Sequence, residues 1–326
     1  MLFLRTVLVQ NRAEAADRTF FEDLPVNPLT VILLTLRGVI TAADTANPLA
    51  DVYGTIPALA VTYRGQDVVR GSLQDLAVLN ALVSGWSPFG FGMQDGAAEV
   101  WSLTVPICFG RRAFDPAECF PAVRRGDLRL EVQVDTVVNN VDLVTVQIET
   151  VELLDETPKR FLKYTTNQRT FAGTGEESVR LPIGNPLIGV LLFGTTIPVA
   201  AATTATWEQI RTKVDNVETM YARANWDTMH GGLLRRLRGD TSRLQDHFHR
   251  YNGAAAAFAN TLERAELVGP LANYGYLDFD PLGGGEFQLE TAGRADVTIQ
   301  RDVGVADVGR FIPVEVVTVG GAAAAA

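Results

Sequence analysis

The chain has 326 residues, 47% of them hydrophobic and 20% charged. That is enough apolar material to bury a core in each of about two domains, and it excludes a disordered chain. The formal charge of -10 sets the chain against nucleic-acid phosphates and anionic membrane surfaces. Residues 1–30 balance Arg5, Arg12 and Arg18 with Glu14, Asp17, Glu22 and Asp23, so this stretch is no basic arm. Cys108 and Cys119 are too few for a disulfide framework or a cysteine zinc site. They read as buried thiols, with one local disulfide as the alternative.

The opening MLFLRTVLVQNR is an apolar run interrupted by Arg5, without the small-residue cleavage pattern of a signal peptide. Thr30–Ile40 is a continuous apolar run, as expected of a strand buried on both sides. Leu59, Val61 and Tyr63 alternate, as do Trp101, Leu103, Val105 and Ile107. Leu128–Val134 is the clearest strand, with Leu128, Leu130, Val132 and Val134 on one face and Arg129, Glu131 and Gln133 on the other. Val144, Val146 and Ile148 continue the pattern beyond an Asn139-Asn140 turn. Within this half, the spacing predicts a helix near 72–84. Ser72 is its cap, Leu73, Leu76, Leu79 and Val83 form one apolar stripe, and Gly85 is the stop.

The pattern breaks near Leu154–Arg160 and then resumes. Strands are expected at Phe161–Phe171, around Leu187–Ile197, and at Tyr274–Asp280, Glu286–Glu290, Asp296–Arg301 and Phe311–Val319. Leu181–Thr206 carries no charge, but its prolines and glycines argue for short buried strands rather than a membrane span. A helical insert is expected near 206–262. It opens on the capping-box-like TWEQ, with Trp207, Ile210, Val214, Val217 and Tyr221 as a buried stripe, and continues through Leu233–Leu237 and Thr241–Leu262. The reading is therefore a mainly β chain of two sandwich domains, residues 1–157 and 158–319, each with a helical insertion, and a flexible tail at 320–326.

Convergent chemistry is scarce. His247 and His249 would point about 200° apart on a helix, so they do not share an ion, and no metal or cofactor is expected. Asp278 and Asp280 would share one face of a strand, with Glu286 able to approach. The pair reads as the wet side of an exposed strand before a calcium site or an acid–base pair. GTGEES and GGGE lack the ending of a phosphate loop and read as hairpin turns. Arg-Gly-Asp at 125–127 and 238–240 reads as turn chemistry. No nucleophile–base–acid arrangement is supported. The arginines Arg235, Arg236 and Arg238, with Arg243 and Arg250, suit a subunit interface or a solvated face.

Three segments carry a resemblance. They are VTYRGQDVVRGSLQDLAVLNALVSG, the helical insert from Trp207 onward, and YGYLDFDPLGGGEFQLETAGRADVTIQRDV. In element order the chain resembles the double jelly-roll major capsid proteins of tailless icosahedral phages with an internal membrane. The resemblance implies two eight-stranded jelly rolls and no enzymatic activity. It implies a homotrimer that contacts neighbouring trimers, with other virion proteins such as a penton as partners. It also implies contact with an internal lipid membrane, no direct nucleic acid, and residence in the virion after assembly from the host cytoplasm. Arg235, Arg236 and Arg238 are the interface candidates. The rival readings are a glycan-binding or glycan-cleaving β-sandwich, with Tyr274, Tyr276, Phe279, Asp278 and Asp280 as its best case, and a spike or adhesin component.

Overall fold

A computed structural model describes residues 2–41, 48–91, 98, 100–139, 141–173, 175–198, 204–237, 271–302 and 304–320. The chain divides into two compact units, the first built on Met1–Leu162 and the second on Lys163–Arg238 with Ala272–Ala326.

In the first unit, one sheet is ordered β1 (Leu2–Ala13), β10 (Val141–Leu154), β3 (Leu29–Ile40), β7 (Val100–Cys108) and β6 (Phe89–Phe91), and β9 (Val137–Val138) pairs with β10. The other is ordered β5 (Gln66–Gly71), β4 (Ala58–Tyr63), β8 (Leu128–Val134) and β2 (Arg18–Asp23). Counting the eight main strands in chain order, the sheets hold 1-8-3-6 and 5-4-7-2. That interleaving is the jelly roll, in which the chain folds as two nested Greek keys.

β8 keeps the strict alternation that its sequence announces, with its apolar residues buried and Arg129 and Gln133 exposed. β10 does not. A register shift between Leu143 and Thr145 leaves Val144 46% exposed, while Val146 and Ile148 are fully buried. One extra residue in a strand turns the following side chains to the other face, so Leu143 rather than Val144 belongs to the core. Gly38 lies opposite this bulge and pairs with Trp101. A Cβ there would sit 1.9 Å from the Asp142 carbonyl and 2.5 Å from the Trp101 ring.

Among the described residues of this unit there are two helices, α1 (Pro48–Gly54) and α2 (Leu73–Ser84). α2 starts where expected. The Ser72 hydroxyl accepts the Asp75 backbone N–H at 3.2 Å, and Gly85 ends the helix at φ 70°. Its expected single stripe is a correction. Every residue from Leu73 to Leu82 except Gln74 is buried, so the helix is enclosed on all sides rather than amphipathic. Asn80 makes that enclosure possible: its amide donates to the Leu76 carbonyl, and its side-chain oxygen accepts the Cys108 N–H at 2.8 Å.

The second unit repeats the plan. One sheet runs β18 (Tyr274–Asp278), β14 (Leu187–Gly194), β20 (Val308–Thr318) and β11 (Arg160–Thr165), with β12 (Asn167–Thr170) on β20. The other runs β13 (Glu177–Arg180), β19 (Val297–Arg301), β15 (Gln209–Val214) and β16 (Val217–Glu218), with β17 (Ala224–Asn225) on β15. Counted from β11, the order is again 1-8-3-6 and 2-7-4-5.

The insert near 206–262 is corrected here. Residues 209–225 are strands and turns, and the described helix, α3, is confined to Trp226–Leu237. Asp215 and Asn216 both adopt positive φ, at 49° and 65°, which makes a two-residue hairpin loop between β15 and β16. Ile210 and Thr212 are buried on one face, while Val217, part of the expected stripe, is 67% exposed. Thr241–Leu262, with His247 and His249, lies outside the described residues, as does the tail beyond Gly320. Glu286–Glu290 is no strand; Leu289 makes only an isolated bridge to Leu187. Neither GTGEES, whose Glu177 and Ser178 already belong to β13, nor GGGE joins a hairpin, because the strands flanking each belong to different sheets. No described helix is long and apolar enough to cross a membrane.

Candidate interaction surfaces

α3 lies on β18 and buries Trp226, Met229, Leu233 and Leu237, one residue per turn of a single stripe. Gly275 in β18 permits the approach, since a Cβ there would lie 3.2 Å from Trp226 and 3.3 Å from Met229. The two described candidate arginines sit in the last turn, where positive charge opposes the helix dipole. They part company there. Arg235 is exposed. Arg236 turns inward to the Asp278 carboxylate, donates to the Asp280 carbonyl at 3.2 Å, and lies 5.5 Å from the centre of the Tyr276 ring. Arg238 lies outside the described residues.

The YLDFDP segment is equally committed. The Tyr221 hydroxyl donates to the Asp278 carbonyl at 3.1 Å and accepts the Asp278 N–H at 2.9 Å. Asp280 is fully buried, and both its carboxylate oxygens accept the Gly285 N–H at 3.0 Å, which closes the glycine loop. The expectation of a wet carboxylate pair is thus corrected for Asp280. Tyr274, Tyr276 and Phe279 are all at least 98% buried, so they offer no aromatic platform to a sugar. Burial also pushes the Tyr276 phenol well above its ordinary pKa.

Beside this lies a cleft of about 600 Å³ in the same unit, bordered by Glu176, Glu208, Asp227, Asp302 and Arg211. Arg211 donates to both oxygens of Asp302 at 2.8 Å. Among the described residues, no group of three or more His, Cys, Asp and Glu is placed to hold a metal ion. Cys108 and Cys119 are buried thiols outside any disulfide, and desolvation pushes each up to about 12, so neither is a ready nucleophile.

The second unit encloses a cation beside its apolar core. Arg301 is fully buried and donates to the Thr206 carbonyl at 2.6 Å, the Val305 carbonyl at 3.1 Å and Glu177 at 2.6 Å. Its guanidinium lies 3.9 Å from the centre of the Phe171 ring. Burial acts to raise the Glu177 pKa, but the Ala172 N–H and Arg301 outweigh it and hold the carboxyl below its ordinary value. Asp307 is lowered likewise. Against its desolvation stand the hydroxyls of Thr206 and Thr196 and two backbone N–H groups.

The surface of the first unit differs in kind. β1 is an edge strand, and Leu2, Phe3, Leu4 and Val7 are 66%, 62%, 45% and 49% exposed. Sequence reasoning passed over this stretch because it was weighed only as a signal peptide. Its mixture of Leu, Phe and Val without regular polar alternation was the available signal.

No family model and no curated protein sequence matches this chain. Solved structures do. A chain in the atomic structure of Sulfolobus turreted icosahedral virus is similar at TM-score 0.68 and 13% identity, over 99% of this chain and 93% of that one. The crystal structure of the STIV MCP is similar at TM-score 0.66 and 14% identity, with 97% of each chain covered. The major capsid protein P2 from Bacteriophage PM2 is similar at TM-score 0.58 and 11% identity, with 98% of each chain covered. At these identities the shared property is the fold, the double jelly roll, and the likeness covers at least 97% of this chain.

Proposed function

We propose that the chain is a structural major capsid protein. Three copies form a trimer whose six rolls make a pseudo-hexagonal capsomer, with residues 1–157 and 158–319 as the two rolls of each copy. Trimers tile an icosahedral shell around an internal membrane, meeting each other and other virion proteins such as a penton. The protein gathers in the host cytoplasm and ends in the virion. The observation that carries this reading is the repetition of one jelly-roll strand order in both units, 1-8-3-6 against 2-7-4-5, together with likeness over at least 97% of this chain to two major capsid proteins.

The residues support it in three ways. Arg236, Tyr276, Asp278 and Asp280, the best polar and aromatic cluster of the sequence, are engaged in internal contacts. The negative charge suits a shell separated from its genome by lipid. Exposed apolar residues gather on a sheet edge, where a neighbour can cover them. The glycan reading loses its best case with the burial of Tyr274, Tyr276 and Phe279.

Light scattering on the purified chain tests the proposal. The expected mass is three times 35.3 kDa, growing into larger arrays with concentration. A monomer at every concentration that forms no assembly with other virion components would overturn it.

A further inference from the structure

The strongest unassigned feature of the molecule is a loop that occurs twice. Leu24–Leu29 reads LPVNPL and Leu181–Leu187 reads LPIGNPL, each leading into the third strand of its roll, β3 or β14. The two copies are held alike. The Leu24 N–H donates to the Leu128 carbonyl at 3.0 Å, and the Leu181 N–H to the Val297 carbonyl at 2.8 Å. The Asn27 amide donates to buried Glu152 at 2.8 Å, and the Asn185 amide to buried Glu315 at 2.8 Å. Leu29 and Leu187 exchange backbone bonds with Phe120 and Leu289, in the loop that follows the sixth strand of each roll. Such pinning fixes the tip of the loop without burying it: Val26 is 43% exposed and Ile183 45%.

Each tip has company from the loop after the sixth strand of its own roll. In the second unit, Leu282 and Phe287 are 71% and 49% exposed. In the first, Phe114 is 36% exposed, and its N–H donates to the Thr30 hydroxyl at the start of β3. The Val26 carbonyl accepts the Val123 N–H at 2.9 Å, which brings the tip beside Arg124 and Arg125. These two and Arg112 are exposed, and none of the three makes an ion pair among the described residues. The acidic side chains of the same loop are engaged elsewhere, Glu118 with Arg111, Asp127 with Arg64, and Asp115 with the Ala117 N–H. A chain of net charge -10 thus keeps three unpaired arginines beside an apolar tip.

We infer that this end of each roll rests on an anionic lipid surface, with Val26 and Ile183 entering the headgroup layer and Arg112, Arg124 and Arg125 on lipid phosphates. Apolar side chains beside arginine are the chemistry of interfacial membrane binding. Apolar groups carried singly on loop tips suit a fluid surface that moulds around them, whereas a stable protein partner needs a continuous patch of about 800 Å². One copy holds weakly, and repetition across a shell multiplies its hold. The inference rests on the capsomer reading, which supplies the lipid and the repetition. It adds which end of the roll faces the membrane.

Vesicles of equal parts phosphatidylglycerol and phosphatidylcholine test it on the full chain. At about five-fold per arginine near such a surface, Arg112→Gln, Arg124→Gln and Arg125→Gln together should weaken binding about a hundred-fold. Thermal melting of this variant should match the parent. Maleimide labelling maps the contact, because Cys108 and Cys119 are buried. Val26→Cys, Ile183→Cys and Val137→Cys, the last 67% exposed at the opposite end of its roll, should all label in solution. The vesicles should protect the first two and leave Val137→Cys reactive. Slow labelling of Val26→Cys or Ile183→Cys without vesicles would show a tip already covered and overturn the inference. Equal protection at all three positions, or no binding by trimers that form normally, would overturn it and leave the capsomer reading standing. Arginine-dependent retention of duplex DNA without vesicle binding would overturn it in favour of nucleic acid. Protection of both tips in a chain that never trimerises would uphold the lipid surface and sink the capsomer reading.

Discussion

The two units share a strand order and fill it differently. The first closes its interior with α2, a helix enclosed on every side, whose one internal amide, Asn80, reaches the end of β7. The second has a buried guanidinium, Arg301, held by Glu177, two carbonyls and the Phe171 ring. Both cover a strand glycine with tryptophan, Gly38 under Trp101 and Gly309 under Trp207. Outside, among the described residues, the first unit exposes Leu2, Phe3, Leu4 and Val7 on β1, and the second exposes Val217, Met220 and Leu282 on its turns while α3 and β18 tie down Arg236 and Asp278. Both interiors are mainly apolar and each encloses an ion pair, Arg111–Glu118 in the first and Arg301–Glu177 in the second, because the sheets need only two complementary faces. What fills the space is free to vary.

The contrast can be broken from either side. In the first unit, Leu76→Asp places a charge in the enclosed helix at a cost of several kcal/mol, and soluble expression should be lost. In the second, Arg301→Ala strands Glu177 without its buried partner, at about 3–5 kcal/mol, and calorimetry should show a large fall in Tm. If Arg301→Ala melted like the parent, the ionic centre would be ornamental and the contrast would collapse. Asn80→Ala should cost less, about 1–3 kcal/mol, because it orphans the Cys108 N–H. A denaturant midpoint measures it.

A finer comparison separates two neighbours on α3. Arg236→Ala removes an internal strut and should lower Tm by an amount reflecting about 1–3 kcal/mol. Arg235→Glu changes an exposed group, so its effect on melting should stay within about 0.5 kcal/mol. Under the capsomer reading, the same change should reduce trimer mass in light scattering. Reduced mass for Arg236→Ala at unchanged Tm would reverse these roles.

Acid should expose the same asymmetry in a milder form. Glu177 and Asp307, both in the second unit, have folded pKa values below their ordinary ones. Their contribution is therefore complete above the unfolded pKa, about 4, and is lost as pH falls through the lower folded values. In the first unit Asp17, held by Thr136 at the surface, is lowered as well. The second unit should loosen first on acidification below about pH 4. Tryptophan fluorescence can tell the units apart, with Trp86 and Trp101 in one and Trp207 and Trp226 in the other. Simultaneous transitions in variants retaining either pair would show that the ionic centre carries no special acid sensitivity.

Much of this was legible without coordinates, and the failures have physical causes. Strict alternation at Leu128–Val134 and the capped helix after Ser72 are local signals, written in residues a few positions apart, and they fold as written. The stretch from Trp207 to Tyr221 was ambiguous because Ile210 and Val214, four apart, share a face on a helix and on a strand alike, with Thr212 between them. The Asp215-Asn216 hairpin settled the matter. Val144 could not be placed from the sequence, since a bulge depends on which strand stands opposite. Arg301, 0% exposed, reads in the sequence as an ordinary surface charge. Its partners Glu177 and Thr206 lie 124 and 95 residues away, and only the meeting of β13, β19 and the loop before β15 makes its burial tolerable. Composition and periodicity determined which segments are strands and that their faces must be buried. Which strand pairs with which, and therefore which edge is left open and which charge is enclosed, was decided by tertiary structure, because those choices depend on contacts between residues distant in the chain.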